Sequence, residues 1–419
     1  MVTHYRWARG LGTAQATIAL AAVMVVSACN GIMDVQLPGN VEASALATPS
    51  LAGLLVNSAQ ADFECAYSLY VYNTSAWSNE MQNASGGAEV ASWSGRFFIP
   101  EGGTGGCQTV ASNRGAFVQY LPLMTARQQA ENALTVIGGF TDADVSGRQL
   151  LLARAALYSG FVHTLLGEAY CSVALTDTGA VQPPVNALLA AEDRFTKAIA
   201  FATTAKDAMV LNSALVGRAR VRLDLGKLAG AVADAKLVPA NFVGYATYDV
   251  NPIRRQNSAY DVTALKHHLS VDPAYRNLTV GGVPDSRLVV TNAGYQGADG
   301  VTPMWLSSKY TSLSSPIPIA SWDEAQLIIA EAEGGQSAVD AINGIRAKYN
   351  LPSYSGGTDA EIQAQVIEER RRTLFFTGHR IGDQLRLKIP FAQGVDQKGV
   401  PYNNDASCVG LPLNETTGR

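Results

Sequence analysis

The sequence predicts a mainly α fold: paired helices stacked side by side, interrupted by two loop-rich insertions that carry aromatic residues. Three observations support this. Apolar residues recur at helical spacing through Gly147 to Leu166, with Leu151, Ala155, Tyr158, Val162 and Leu165 on one face. Asn212 to Pro239 reads as two helices folded back on each other, with a small residue at each close approach. Between the helical stretches, aromatic residues stand among glycines and prolines, a composition that makes ordered loops.

The chain opens with Arg6 and Arg9 and no acid, then an apolar run from Leu11 to Val26. That is the pattern of a secretory signal, too short for the ~20 apolar residues of a membrane span. The run ends at Val26-Ser27-Ala28-Cys29, which matches the bacterial lipobox: an aliphatic residue, two small ones, and the cysteine that takes the lipid. Residues 1–28 are therefore expected to be a lipoprotein signal peptide and 29–45 a lipidated tether. Two or more acyl chains on Cys29 would hold the protein stably on a bilayer. Asn30 follows, so no acidic residue signals retention at the inner membrane.

Residues 46–419 are expected to form a single domain. The chain has 419 residues, 47% hydrophobic and 16% charged, and carries a formal net charge of -4. That is ample for a sizeable core, and the charge balance argues against a nucleic-acid partner. Besides Cys29, four cysteines remain: Cys65, Cys107, Cys171 and Cys408. An even number in an exported chain suggests two disulfides among three possible connectivities. Cys65 with Cys107 would bracket a glycine-rich segment, and Cys171 with Cys408 would tie the tail to the helical body. Neither CxxC spacing nor clustered histidines accompany them, which disfavours metal binding.

Thr48-Pro49-Ser50 ahead of Leu51 marks a helix start. The first loop-rich insertion is placed at about 62–115, where Tyr67, Tyr70, Tyr72, Trp77, Trp93, Phe97 and Phe98 share a stretch with Gly86-Gly87, Gly102-Gly103 and Gly105-Gly106. Trp77 and Trp93 are the candidates there for a ligand platform, because indole faces stack on sugar C–H groups and binding residues concentrate on supported loops. Helical repeats follow over about 116–240. Gln119 to Val136 has helical spacing, and His163 falls on the apolar face of the next helix as a core histidine. Beyond Glu192 to Ala205, Asn212 to Pro239 resembles one tetratricopeptide unit, with Gly217 at the helix approach, Gly226 at the turn, Ala231 at the crossing and Pro239 as terminator. Such pairs stack because neither helix can bury its stripe alone.

The second insertion, about 241–320, is irregular, with short runs such as Arg287-Leu288-Val289-Val290 that read as small strands. Tyr295 and Trp305 are its candidates for ligand contact, against the alternative that they anchor the insertion. Helices resume over about 321–386. Ser321 with Glu324 three residues later reads as a capping box. The last block, Glu368 to Arg386, is EERRRTLFFTGHRIGDQLR, in which glutamates precede arginines by three or four residues beside an apolar stripe.

Taken in order, SWDEAQLIIAEAE, AVDAINGIRAKYNLP and EERRRTLFFTGHRIGDQLR resemble the three blocks that close the SusD/RagB family of outer-membrane nutrient-binding lipoproteins. Asp34 to Pro38 is similar to the stretch after that family's lipid cysteine, and LPLNE to its closing segment. Thr377 departs from the usual Glu, and Ile381-Gly382 from an aromatic pair. The resemblance implies a SusD-like fold with tetratricopeptide-like helices and ligand contacts from aromatic residues on loops. It also implies a place on the outer membrane, surface-exposed, and a TonB-dependent SusC-like transporter as partner, to which an oligosaccharide or other nutrient is delivered.

Catalysis has no motif to rest on. The sequence contains no GxSxG, HExxH or P-loop. The acidic pairs Asp142/Asp144 and Asp323/Glu324 fall at turns and helix starts, where capping explains them. His267-His268 stands without companion ligands. A binding protein without enzyme activity, cofactor or metal is the expectation. A tetratricopeptide assembly scaffold would lack aromatic insertions, and a surface glycan hydrolase would need a carboxylate pair facing the aromatic loops.

Overall fold

The computed structural model describes residues 47–97, 107, 118–175 and 179–412. The expected signal peptide and lipobox, with Cys29, lie outside the described residues. Pro49–Arg419 forms one compact unit.

Helix α1 (Ala52–Trp77) runs through the centre of this unit. Its second half was expected as loop. Instead Phe63, Tyr67, Tyr70, Tyr72 and Trp77 are all buried helix residues. The physical reason lies in the sequence: no glycine or proline occurs between Gly53 and Gly86, so nothing interrupts the helix, and burial of its aromatic rings stabilises it. Against α1 pack α3 (Tyr120–Gly138) and α4 (Arg148–Ala169). The short helix α2 (Ala88–Gly95) carries Trp93.

The stack continues in chain order through α5 (Val185–Ala205), α6 (Ala208–Asp224) and α7 (Leu228–Ala235), each packed on the one before. Gly226 turns the chain between α6 and α7 with φ +70°, a conformation that favours glycine. Helix α8 (Trp322–Glu333) then packs on α6 and α7 and is followed by α9 (Gly335–Lys348), α10 (Asp359–Thr373) and α11 (Arg380–Arg386). At the start of α8, Ser321 Oγ accepts from the Glu324 amide at 3.1 Å, but the Glu324 carboxylate turns inward to His379, so only half of the expected box forms. A complete capping box stands at α10 instead, between Thr358 and Glu361.

Strands of seven residues or fewer, all but β1 in or bordering the second insertion, pair two by two and antiparallel. β1 (Met81–Asn83) pairs with β3 (Leu269–Val271), β2 (Val243–Ala246) with β8 (Ile317–Ser321), β4 (Thr279–Val280) with β5 (Val283–Pro284), and β6 (Val290–Gln296) with β7 (Pro303–Ser307). Of the run Arg287 to Val290 only Val290 is strand; Arg287 instead forms ion pairs with Asp285 and Glu369. The β2–β8 ladder closes the neck of the insertion, with Val243 opposite Ser321. Beyond the neck, α1 holds the insertion directly: the Glu64 carboxylate accepts from the Thr247 amide at 2.8 Å and its hydroxyl at 2.9 Å, and pairs with Arg255.

The structure joins Cys65 to Cys107 and Cys171 to Cys408. The second bridge fixes a C-terminal strap that follows α11. Trp77 Nε1 donates to Ser407 O at 2.8 Å, and the buried guanidinium of Arg96 sits between the rings of Phe391 and Tyr402, 5.5 and 4.7 Å from their centroids.

Candidate functional site

Trp77 and Trp93 are core residues. They are 2% and 0% exposed and meet edge to face, with centroids 5.7 Å apart. Trp77 also borders a cavity of about 320 Å³ beneath the strap, together with Arg96, Phe97 and Cys408. The expectation that these indoles offer open faces to a ligand is corrected by their burial: α1 and α2 turn both rings inward, where their large apolar area stabilises the fold.

Tyr295 and Trp305 lie on the β6–β7 hairpin, and there the surface differs. Most of β6 is exposed, and Tyr295 itself is 39% exposed. Its ring meets the imidazole of His267 at a centroid distance of 4.6 Å, tilted by 46°. His267 holds this position with a left-handed backbone, φ +56°, and with ring Nε2 3.1 Å from Ala264 O. Trp305, half-buried on β7, has the Arg276 guanidinium 4.9 Å over its ring. Arg276 is aimed by its Nε and Nη2 groups, which donate to Val271 O at 2.9 and 2.6 Å. Burial lowers the Arg276 pKa, and the nearby Asp272 opposes that.

The hairpin is anchored at both ends. At its tip, Asp299 Oδ1 accepts from the amides of Val301 and Thr302 at 3.0 and 2.9 Å, while Oδ2 accepts from Thr302 Oγ1 at 2.7 Å and Lys398 Nζ at 3.2 Å. Burial pushes the Asp299 carboxyl up, yet these hydrogen bonds outweigh it and hold the group down to about 2. Gly297 lies so close to the loop after β1 that a Cβ would stand 2.4 Å from Ala84 O. Nearer the base, Ser270 Oγ donates to Pro303 O and accepts from the Trp305 amide, both at 2.9 Å. Two part-open rings, each beside a nitrogen-bearing side chain, are thus carried on a braced β-ribbon. Ring faces with adjacent hydrogen-bond donors suit the binding of polyhydroxylated or peptide ligands.

Sequence reasoning singled out Tyr295 and Trp305, set His267 aside for want of companion ligands, and passed over Arg276 and Lys398. Their partners are remote in sequence, and only the β1–β3 and β6–β7 pairings bring them together.

The fold places the chain among helical-repeat proteins with a strand-bearing insertion, and that arrangement is the SusD-like fold. Similar solved structures include a SusD-like carbohydrate binding protein from Bacteroides vulgatus, with TM-score 0.64 and 13% identity over 86% of this chain and 94% of that one. A SusD superfamily protein from the same species aligns with TM-score 0.64 at 15% identity, covering 88% of this chain and 96% of the other. A third, a SusD superfamily protein from Parabacteroides distasonis, has TM-score 0.63 and 12% identity over 87% and 96%. No family model and no curated protein matches the sequence. At such identities the likeness is one of fold.

Proposed function

We propose that this chain is a lipid-anchored nutrient-binding protein of the outer membrane. It captures an oligosaccharide, or another nutrient such as a peptide, and delivers it to a TonB-dependent SusC-like barrel transporter. The observation that carries the reading is the braced β6–β7 hairpin, which presents Tyr295 with His267 and Trp305 with Arg276 at the surface of a SusD-like fold. The carbohydrate binding named for the Bacteroides vulgatus relative supports a sugar as the first ligand to test. The lipobox supports anchoring through Cys29, and Asn30 carries no signal for retention at the inner membrane; the resemblance to the family supports surface exposure. In this reading the protein works by binding and release, with no bond made or broken.

The test is calorimetric titration of the chain beginning at Asn30 with a panel of polysaccharides and peptides, alongside Tyr295→Ala and Trp305→Ala. Binding of one class, weakened by ~1 kcal/mol or more by each substitution, supports the site. Binding that neither change touches removes the site from the hairpin, and shortened glycan products after incubation would replace the reading with hydrolysis. Palmitate labelling that disappears in Cys29→Ala tests the anchor, and recovery of a barrel transporter with the tagged protein from detergent extracts tests the partner.

A further inference from the structure

A second cavity, of about 350 Å³, opens where the neck of the insertion meets the closing helices. Tyr245 on β2, Lys309 just after β7, Asp323 on α8, Lys348 and Tyr349 at the end of α9, and His379 ahead of α11 all border it. Its volume lies at the lower end of the ~300–1,000 Å³ of small-molecule pockets, room for a single sugar ring.

Most of the charges around it are matched, although Glu324 Oε1 is buried without a hydrogen bond and Arg220 Nη1 lies 2.8 Å from His379 Nε2. Asp323 accepts from Lys348 Nζ at 2.8 and 2.9 Å and from the Tyr349 hydroxyl at 2.8 Å. His379 Nε2 lies 3.1 Å from Glu324 Oε1, and its Nδ1 2.8 Å from Thr377 Oγ1. Lys309 differs. Its ammonium has three N–H donors, and the one hydrogen bond it makes goes to a neutral acceptor, Phe375 O, at 2.6 Å. Among the described residues no carboxylate lies within ion-pair distance of it. Glu80 and Asp323 act on it from further away, and the Glu80 carboxylate is already taken by Ser75 Oγ at 2.7 Å and the Phe376 amide at 3.1 Å. Burial accordingly pushes the Lys309 ammonium down to about 8. Lys309 is half-buried, and a partly desolvated cation without its own anion is stabilised by a ligand carboxylate.

We propose that this cavity binds a hexuronate unit, with Lys309 taking the carboxylate and the Asp323 carboxylate accepting from ring hydroxyls. Tyr245, 47% exposed, and Tyr349 supply the apolar walls that the C–H face of a pyranose requires. The cavity draws on residues separate from the hairpin platform, so it stands or falls independently of that reading.

The experiment titrates the mature chain with sodium D-glucuronate, sodium D-galacturonate, D-glucose and sodium acetate, each alone, followed by calorimetry. A uronate is expected to bind at least ten-fold more tightly than glucose or acetate. Lys309→Gln should weaken that binding at least ten-fold, while Lys197→Gln, on the exposed face of α5 and outside the cavity, leaves it unchanged. A second measurement uses the unaltered protein, so that folding of a variant does not decide the matter: acetic anhydride acetylation of Lys309, followed by mass spectrometry, should slow several-fold with uronate and not with glucose. Glucose binding as tightly as glucuronate overturns the proposal, and acetate doing so reduces the site to a simple carboxylate site and overturns the sugar assignment. Uronate binding lost in Tyr295→Ala but retained in Lys309→Gln moves the ligand to the hairpin. No uronate binding, with acetylation unprotected, sinks the idea outright.

Discussion

Arg370 and Asp383 form a buried bidentate ion pair, Nε to Oδ2 at 2.9 Å and Nη2 to Oδ1 at 2.7 Å, that fastens the last turn of α10 to α11. Asp383 Oδ1 also accepts from Arg386 Nη2 at 2.8 Å, and Glu331 on α8 lies 3.4 Å from Arg370 Nε. The charged block near the end of the sequence is therefore inside the protein, where three closing helices meet. Its neighbours Arg371 and Arg372 both pair with Glu368, at 2.6 Å.

Removing one partner of this pair leaves the other charge buried and unmatched. Asp383→Ala is expected to cost about 3–5 kcal/mol in urea unfolding, whereas Asp383→Ala with Arg370→Met recovers part of the loss. A double variant as unstable as the single one would show that the pair contributes beyond avoiding an orphaned charge.

Stability should fall as the pH drops from 6.5 to 4, through His163. Burial within α4 lowers its pKa to about 4, with the Ser159 carbonyl at 2.8 Å and Glu131 opposing and Arg127 and Arg194 reinforcing. The unfolded chain, with an ordinary value of 6.5, takes the proton first, so the contribution is complete above 6.5 and lost by 4. The expected loss is on the order of 3 kcal/mol. Glu131 acts in a lower window: burial pushes it up, but hydrogen bonds from Arg194 and Ser159 hold it at about 2, so its contribution goes as pH falls from 4.5 to 2. Equilibrium unfolding at closely spaced pH values separates the two. In His163→Gln the decline between 6.5 and 4 should flatten while the lower one stays.

Gly217 shows what the sequence makes legible and where legibility ends. A small residue was expected where two helices approach, and a Cβ there would stand 2.4 Å from Cζ of Phe195, whose ring also fills the space a Cβ on Gly160 would need. The repeat pattern carried that information because helix contact is local and periodic. The end of α1 was misread because its aromatic residues were grouped with glycines that begin only at Gly86. Trp77 and Trp93 were misplaced for the same reason, since aromatic content does not say which way a ring points. The partners of Tyr295 and Trp305 depend on strand pairing between remote segments, which no local pattern encodes. Gly217→Ala is expected to destabilise by about 1–3 kcal/mol through overpacking, with Phe195→Leu in that background restoring part of the stability; thermal melts of the three variants decide it.

The two disulfides differ in setting, because Cys65 and Cys107 are buried whereas Cys171 is exposed. Cys408→Ser should release the strap that Cys171 holds, at a cost of about 2–5 kcal/mol, and make the segment 395–412 the first site of limited proteolysis. Cleavage that begins elsewhere would mean that the contacts of Arg96 and Trp77 hold the strap without the bridge.

The hairpin's brace makes the last prediction. Gly297 and Ala84 are in backbone contact, the Asp299 amide donates to Ala84 O at 3.1 Å, and the Ala298 amide donates to His267 O at 3.0 Å. Gly297→Ala places a methyl group 2.4 Å from Ala84 O, so the hairpin tip must lift off the loop after β1. Because β6 is mostly exposed and pairs with β7 alone, resistance to that movement rests on the Asp299 turn, its contact with Lys398 and the Ala298 and Asp299 amides. Amide hydrogen exchange should therefore quicken at Ala298 and Asp299 at least ten-fold, while α4 amides keep their protection. The Tyr295–His267 contact depends on the same tip, so ligand binding should weaken in Gly297→Ala although no ligand-facing side chain is altered. Unchanged exchange at the tip would show that the Asp299 turn and Lys398 suffice to hold the hairpin, and would detach the geometry of Tyr295 from the contact with Ala84.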